Sequence, residues 1–427
     1  MENRPKIYAT AAFVTGILLA LGYKDFYPEL ERRFWRRRAE NKTLVGAGLH
    51  NKDDHINLED HERGGGVIKV PEGIEACIGN TPLFKIKSLS EGTGCDILAK
   101  AEFLNGGGGG PKDRVALSII DLAEEQGLLK PYSGDTIYEG TVGSTGISLA
   151  TVCRARGYLA YICMPSDQAT EKSDLLQKLG AVVERVPPAP IIDPMHFVNR
   201  ARTLATEHTA DPNRLGRGYF ANQFENEANW QAHHNGTGPE IFHQCGGEID
   251  AFVAGAGTGG TLAGVARYMK SRLSEVRIVL ADPQGSGLYN WVKYGVMFDT
   301  KEKEGTRRRS QVDTIVEGIG INRVTANFEA GRELIDDAFK VDDEQALAMA
   351  RWLVEKDGIF VGSSSAVNCV AAVKTARDLG PGHRIITILC DSGTRHISKF
   401  WAIAGNIGGK TDSRLEDIIG PNNTSDG

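Results

Sequence analysis

The chain reads as an α/β protein built on parallel sheets and preceded by a short apolar helix, a reading that three observations carry. From Val67 onward, short β-branched or apolar runs alternate with helix-length amphipathic segments, the order that builds βαβ units. One strand-like run ends in the turn Gly255-Ala256-Gly257-Thr258-Gly259-Gly260 and passes straight into a helical pattern. Near the amino terminus an uncharged apolar stretch is separated from all the rest by a polar segment ending in glycines.

The apolar stretch comes first, Ile7 to Tyr23, preceded by Arg4 and Lys6 and followed by RRFWRRR ending at Arg38. As a helix it would span about 26 Å, just short of a hydrocarbon core of roughly 30 Å. A cleaved secretory signal fits poorly: no small-residue cleavage site precedes Tyr23, and Asp25 and Pro28 follow at once. A transit peptide fits poorly too, because Asp25, Glu29 and Glu31 are acidic. The expectation is a retained membrane anchor over residues 1–38, of the type found on mitochondrial outer membranes. Residues 39–66 read as a linker, and His55 and His61 within it lack metal-ligand spacing.

Residues 67–408 form the expected catalytic domain, and 409–427 a flexible tail. DILAK leads to the segment after Lys112, DTIYEG to STGISLATVCRA, YLAYICMP to TEKSDLLQKLG, and AVVERV to a helix through Ala205. IDAFVAG, VRIVLAD and RIITILCD follow, each flanked by helical patterns, and the alternation is the signature of βαβ units and a parallel sheet. One subdomain is expected at about 105–225 and a second in the remainder.

Composition narrows the function. A chain of 427 residues, 41% apolar and 24% charged, has enough apolar material for an enzyme-sized core. Its net charge of −6 argues against nucleic acid, which calls for a basic face. Cys77, Cys95, Cys153, Cys163, Cys245, Cys369 and Cys390 are scattered with no C-x-x-C pair, which suggests neither a disulfide framework nor a metal site.

Two stretches carry chemistry. Across 249–282 the glycine turn and Asp282 satisfy the dinucleotide fingerprint. What such a turn supplies is narrower: backbone N–H groups at a helix start, where partial positive charge holds a phosphate. Alone, it admits an NAD-dependent dehydrogenase. The second stretch is NGGGGGPKDR, Asn105 to Arg114. Its glycines let backbone pass close to a ligand, Pro111 suits a helix start, and Lys112 opens an apolar run. A lysine desolvated there loses its proton more readily and can condense with an aldehyde. Phosphate turn and lysine together describe pyridoxal phosphate at least as well as NAD.

Beyond these stretches the sequence carries IGNTPLF (Ile78 to Phe84), KAEFLN before PKDR, GSTGISLA, MPSD, QFENEAN with TGPEI, GAGTGGT, VEGIG, GSSSA and CDSGTRHISKF. In this order they resemble the cysteine synthase and cystathionine β-synthase family of pyridoxal-phosphate enzymes, fold type II, over roughly residues 70 to 405, and its fungal mitochondrial members above all. The resemblance implies a tryptophan synthase β-like fold with the cofactor between two αβα subdomains, and a homodimer. It implies that Lys112 holds the cofactor and then removes the substrate α-proton. Gly257, Thr258, Gly259, Gly260 and Thr261 would wrap the cofactor phosphate, and Ser364 would face the pyridine nitrogen with a neutral hydroxyl. Thr141, Val142, Gly143, Ser144 and Thr145, assisted by Gln223, would grip the substrate carboxylate, with Ser144 also touching the cofactor. Asp391 and Ser392 would lie beside the pyridine nitrogen, and Glu317 to Gly320 would line the substrate entrance.

The implied reaction is β-replacement on O-acetylserine or a related serine derivative by sulfide, giving L-cysteine. Elimination of sulfide from cysteine and condensation with homocysteine are alternatives within the class. The chain departs from the family's T-S-G-N-T-G loop at Val142 and Ser144, has one residue more before the lysine, and carries Trp230 for a common proline. The altered loop motivates a further alternative, a catalytically poor scaffold tethered to a membrane. His233 and His234 are expected to point apart on a helix, without a ligand role.

Overall fold

The computed structural model describes residues 72–168, 170–299, 314–405 and 414–420. The anchor and linker expected over 1–66 lie outside the described residues. Among the described residues no helix is long and apolar enough to cross a membrane.

The described residues form ten strands: β1 (Leu83–Lys85), β2 (Asp96–Ala101), β3 (Thr136–Gly140), β4 (Leu159–Pro165), β5 (Val182–Val186), β6 (Gly218–Phe220), β7 (Ala251–Gly255), β8 (Arg277–Pro283), β9 (Asp337–Val341) and β10 (Arg384–Leu389). They form a four-stranded sheet ordered β5-β4-β3-β6 and a six-stranded sheet ordered β1-β2-β10-β7-β8-β9. The smaller sheet is parallel throughout. The larger departs from the expected parallel arrangement at one edge, where β1 runs antiparallel to β2 with Phe84 opposite Ala99. Only the helix Lys87–Thr93 separates these strands, too short a connection for a parallel crossover.

Parallel strands covered on both faces read as continuous apolar runs, and the centre of the large sheet does so: Phe252, Val253, Ile278, Leu280, Ile385 and Ile386 are all fully buried. Each such side chain contributes about 1.5–3 kcal/mol by leaving water. The helix Ser363–Leu379 is enclosed between this sheet and the helix Asp343–Asp357, and its small residues Ala366, Val370, Ala371, Ala372 and Val373 have no exposed surface. Small side chains permit that close approach, so an Ala371→Leu change would overpack it. In the expected tail, Leu415–Ile419 forms a short helix, and the spacing of Leu415, Ile418 and Ile419 puts all three into the core. That part of the tail is therefore packed.

The topology brings four connections to one place. The Lys112 loop follows β2, the Thr141 loop follows β3, the glycine turn follows β7 and Asp391 follows β10. Each leaves the carboxyl end of a parallel strand, the edge at which α/β proteins bind ligands.

Candidate active site

The lysine loop is held by two polar side chains. Asn105 accepts from Gly79 N at 2.7 Å and donates to the carbonyls of Glu102 at 2.9 Å and Gly110 at 3.3 Å. Buried Asp113 accepts from the backbone N–H of Gly108 at 2.6 Å and of Gly109 at 2.8 Å, and from the Ser148 hydroxyl at 2.6 Å. The loop thus folds over the first turn of the helix Lys112–Glu125 and presents Lys112 as that helix's first residue. Lys112 keeps part of its surface exposed, yet burial draws its ammonium below the ordinary lysine range, against the opposing pull of Cys390 and Asp391.

Behind the lysine lies a buried charged cluster. Arg114 forks onto Glu102 (2.8 Å) and Glu240 (2.6 Å), and fully buried Lys100 reaches Glu240 at 2.7 Å and the Thr81 carbonyl at 2.6 Å. Two cations meet two carboxylates, so the cluster is charge-balanced. Burial acts to raise the Glu102 and Glu240 pKa values, but Arg114 beside them prevails and holds both below the usual range. The cluster ties Thr81 of IGNTPLF to the lysine helix.

The glycine turn is built for close backbone approach. Gly259 has φ of 86°, and a side chain there would strike the backbone of Phe328 at 2.5 Å; one at Gly257 would strike the Gly318 carbonyl at 2.5 Å. The helix Gly260–Lys270 starts immediately after, so its free N–H groups face the turn. Thr258 accepts from Asn229 Nδ2 at 2.9 Å, and Thr261 Oγ1 lies 3.1 Å from His233 Nε2. His233, on a π-helical turn His233–Thr237, is fully buried with its Nδ1 2.9 Å from the Thr237 hydroxyl, and burial keeps it neutral. Of the two histidines, one is therefore a positioning partner of Thr261, a role the sequence did not disclose.

The Thr141 loop and the glycine turn are joined through Gln223. Its side chain takes a hydrogen bond from the Thr145 hydroxyl and donates to the Gly140 carbonyl at 3.3 Å, and its own carbonyl accepts from Asn229 at 2.7 Å. Thr141, Gly143 and Thr145 are buried, Ser144 is half-buried and Val142 is exposed. Asn229, in the QFENEAN motif, is the residue that the two regions share.

At the start of the helix Ser363–Leu379 three hydroxyls are allotted differently. Ser363 accepts from Glu317 N at 3.0 Å and Ser365 from Cys390 N at 2.8 Å, while Ser364 meets only the Cys390 thiol, which burial pushes up to about 12. Ser364 is the hydroxyl not engaged by backbone. Asp391, after β10, pairs with His396 Nε2 at 3.1 Å. Glu317 then bridges the cleft, meeting Lys172 of the four-stranded part at 3.0 Å and Lys399 of the six-stranded part at 3.2 Å. Lys172 also lies against Gly143. These partners are far apart in sequence and no motif links them.

Asp282 does not fit the dinucleotide reading. It is fully buried, and its Oδ2 accepts from Tyr289 N at 2.8 Å and pairs with Lys340 at 3.1 Å, so it offers no exposed carboxylate to ribose hydroxyls. The set that does converge is a lysine with a depressed pKa, a helix-start glycine turn and a serine left free of backbone, which fits pyridoxal phosphate.

Comparison with known proteins agrees. The sequence profile of the pyridoxal-phosphate dependent enzymes matches residues 74–391. The cysteine synthase 2 of Emericella nidulans is 66% identical over 98% of this chain and 99% of its own. A Saccharomyces cerevisiae protein provisionally named as a mitochondrial cysteine synthase is 55% identical over 82% of this chain and 88% of its own. Among solved structures, an O-acetylserine dependent cystathionine beta-synthase from Helicobacter pylori superposes with a TM-score of 0.65 at 32% identity, covering 78% of this chain and 99% of its own.

Proposed function

This chain belongs to the pyridoxal-phosphate dependent enzymes, and we propose that it is a cysteine synthase, replacing the β-substituent of O-acetylserine with sulfide to give L-cysteine. The near full-length likeness to the Emericella nidulans cysteine synthase 2 is the observation that carries this reading. When bound, pyridoxal phosphate supplies the electron sink that lets the β-substituent leave and sulfur add.

The residues take their parts as follows. Lys112 would hold the cofactor and would accept the α-proton of the substrate; its depressed pKa keeps a larger share of the amine neutral for that task. Gly257, Thr258, Gly259, Gly260 and Thr261 hold the phosphate, with Asn229 and His233 fixing the two threonine hydroxyls. Thr141 to Thr145 and Gln223 would take the substrate carboxylate, and Ser364 would meet the ring nitrogen with a neutral hydroxyl that leaves that nitrogen unprotonated. The Lys172–Glu317 pair links the four-stranded part to the six-stranded part beside Gly143.

The mitochondrial setting rests on the yeast relative, and the placement of 1–38 as an outer-membrane anchor rests on charge and length in the sequence. The homodimer, the linker at 39–66 and the subdomain limits are part of the same reading.

The test is chemical. Borohydride-treated protein digested for mass spectrometry should carry the cofactor on Lys112, and Lys112→Ala should lower cysteine formation by about 10²–10⁴-fold or more. An unmodified Lys112 in wild-type protein that still makes cysteine would overturn the assignment.

A further inference from the structure

Glu139 is a buried acid that, among the described residues, no cation offsets and whose carboxyl is only partly hydrogen-bonded. It is the fourth residue of β3, without exposed surface, two residues before Thr141. One oxygen, Oε2, accepts from Gln223 N at 3.2 Å, while Oε1 is buried with no partner. Asn222, whose backbone N–H points at the same carboxyl, also carries a buried Oδ1 with no partner. The region thus holds a surplus of acceptors, which a proton on Glu139 would reduce.

The charged and titratable surroundings agree. On β4 the facing group is the Cys163 thiol, which burial pushes up to about 12, and on β6 it is the Tyr219 phenol, also raised by burial. No lysine, arginine or histidine pairs with Glu139 among the described residues. Burial outweighs the nearby N–H donors of Gln223, Gly140 and Asn222 and raises the carboxyl to about 8.

Its position gives this neutral acid a consequence. Glu139 bonds the backbone of Gln223, and Gln223 bonds Thr145 and Gly140 at the two ends of the loop read as the carboxylate grip. A second anion brought to that loop would face an ionised Glu139 through protein of low dielectric, where like charges repel strongly. We propose that Glu139 is a positioning residue that must stay protonated for the loop Thr141 to Gly146 to hold an anionic carboxylate, so that its ionisation closes the amino-acid site. The inference rests on the carboxylate-grip reading proposed above.

Propionate is a suitable probe, since it has a carboxylate and no amine to titrate with the protein. Its inhibition constant against the amino-acid substrate should weaken about tenfold between pH 7 and pH 9 in the wild-type holoenzyme, and stay flat in Glu139→Gln, which keeps the shape and cannot ionise. Superimposable profiles for the two proteins would overturn the proposal. Absence of competitive propionate binding at any pH would overturn both the proposal and the carboxylate-grip reading, which separates the two failures. Should Glu139→Gln not fold, proton uptake on propionate binding at pH 8.5, followed with an indicator in lightly buffered wild-type protein, decides the same question. Uptake approaching one proton supports the role, and none removes it.

Discussion

The ion pairs around Arg114 and those around Glu317 use the same kinds of side chain in different surroundings. At Arg114, Lys100 and Glu102 have no exposed side-chain surface at all, and Glu240 keeps 16%. At Glu317, Lys172 and Glu317 itself are half-buried, at 19% and 17%, and Lys399 is 51% exposed. Enclosed charges are costly to desolvate and costly again to leave alone, so the first group acts as a unit in which no member is dispensable. Water and salt reach the second more readily through Lys399, so its pairs are expected to be weaker. The first set fixes the helix that begins at Lys112.

The most severe way to break this contrast is Arg114→Met. It leaves Glu102 and Glu240 without their main partner, and unfolding by denaturant should show a loss of about 3–5 kcal/mol. A loss below about 1 kcal/mol would mean that the enclosed cluster behaves like a surface pair.

A smaller effect lies in the pH dependence. His233 is held neutral by burial, and burial likewise pushes His196 down to about 4, whereas both titrate near 6.5 once unfolded. Below about pH 6.5 the unfolded chain binds protons that the folded chain refuses, so stability falls as pH drops. Glu102 and Glu240, with depressed folded values, add a second decline: their contribution is complete above about pH 4.5 and is lost as pH falls through the lower folded values. Each histidine contributes a slope of about 1.4 kcal/mol per pH unit in the first stage. In the same window Glu139, raised to about 8 in the fold, holds a proton that the unfolded chain releases above about pH 4.5 and so opposes the histidines; His233→Asn should lower the slope of that stage by about 1.4 kcal/mol per pH unit and leave the second intact, as read from unfolding midpoints across pH. An unchanged first stage would show that His233 is already charged in the fold.

The smallest effect is expected at the cleft. Glu317→Gln should cost less than about 1 kcal/mol, and the difference from wild type should shrink in 1 M salt. A salt-insensitive loss above about 2 kcal/mol would place Glu317 with the enclosed group.

The parts of the molecule legible in sequence are those whose cause is local. Apolar runs such as VRIVLAD announced buried parallel strands, and the glycines at 257 and 259 announced a turn that admits no side chain. β1, β6 and β9 escaped notice. The first two have three residues each, too few for a periodic signal, and Asp337 and Lys340 interrupt the third. Long-range pairings were invisible for a different reason. Lys172 and Glu317 meet only because two sheets face each other, and no spacing rule connects them. His233 was hidden by its setting, since regular helical periodicity does not describe a π turn. Glu139 read as an ordinary polar residue of a strand, because alternation says which face a side chain takes and nothing about whether a partner waits there.

The wide turn at His233–Thr237 has a further consequence, for chain length. It holds one more residue than a regular turn, and it stands between the ring that steadies Thr261 and the following helix, Gly238–Gln244, whose Glu240 grips Arg114. Deleting a single residue would swing the two halves by about 100° relative to each other. Either the phosphate turn or the lysine helix would then lose its support. Exposed Asn235 is thus open to replacement by many residue types, while the number of residues between His233 and Glu240 is what descent must preserve.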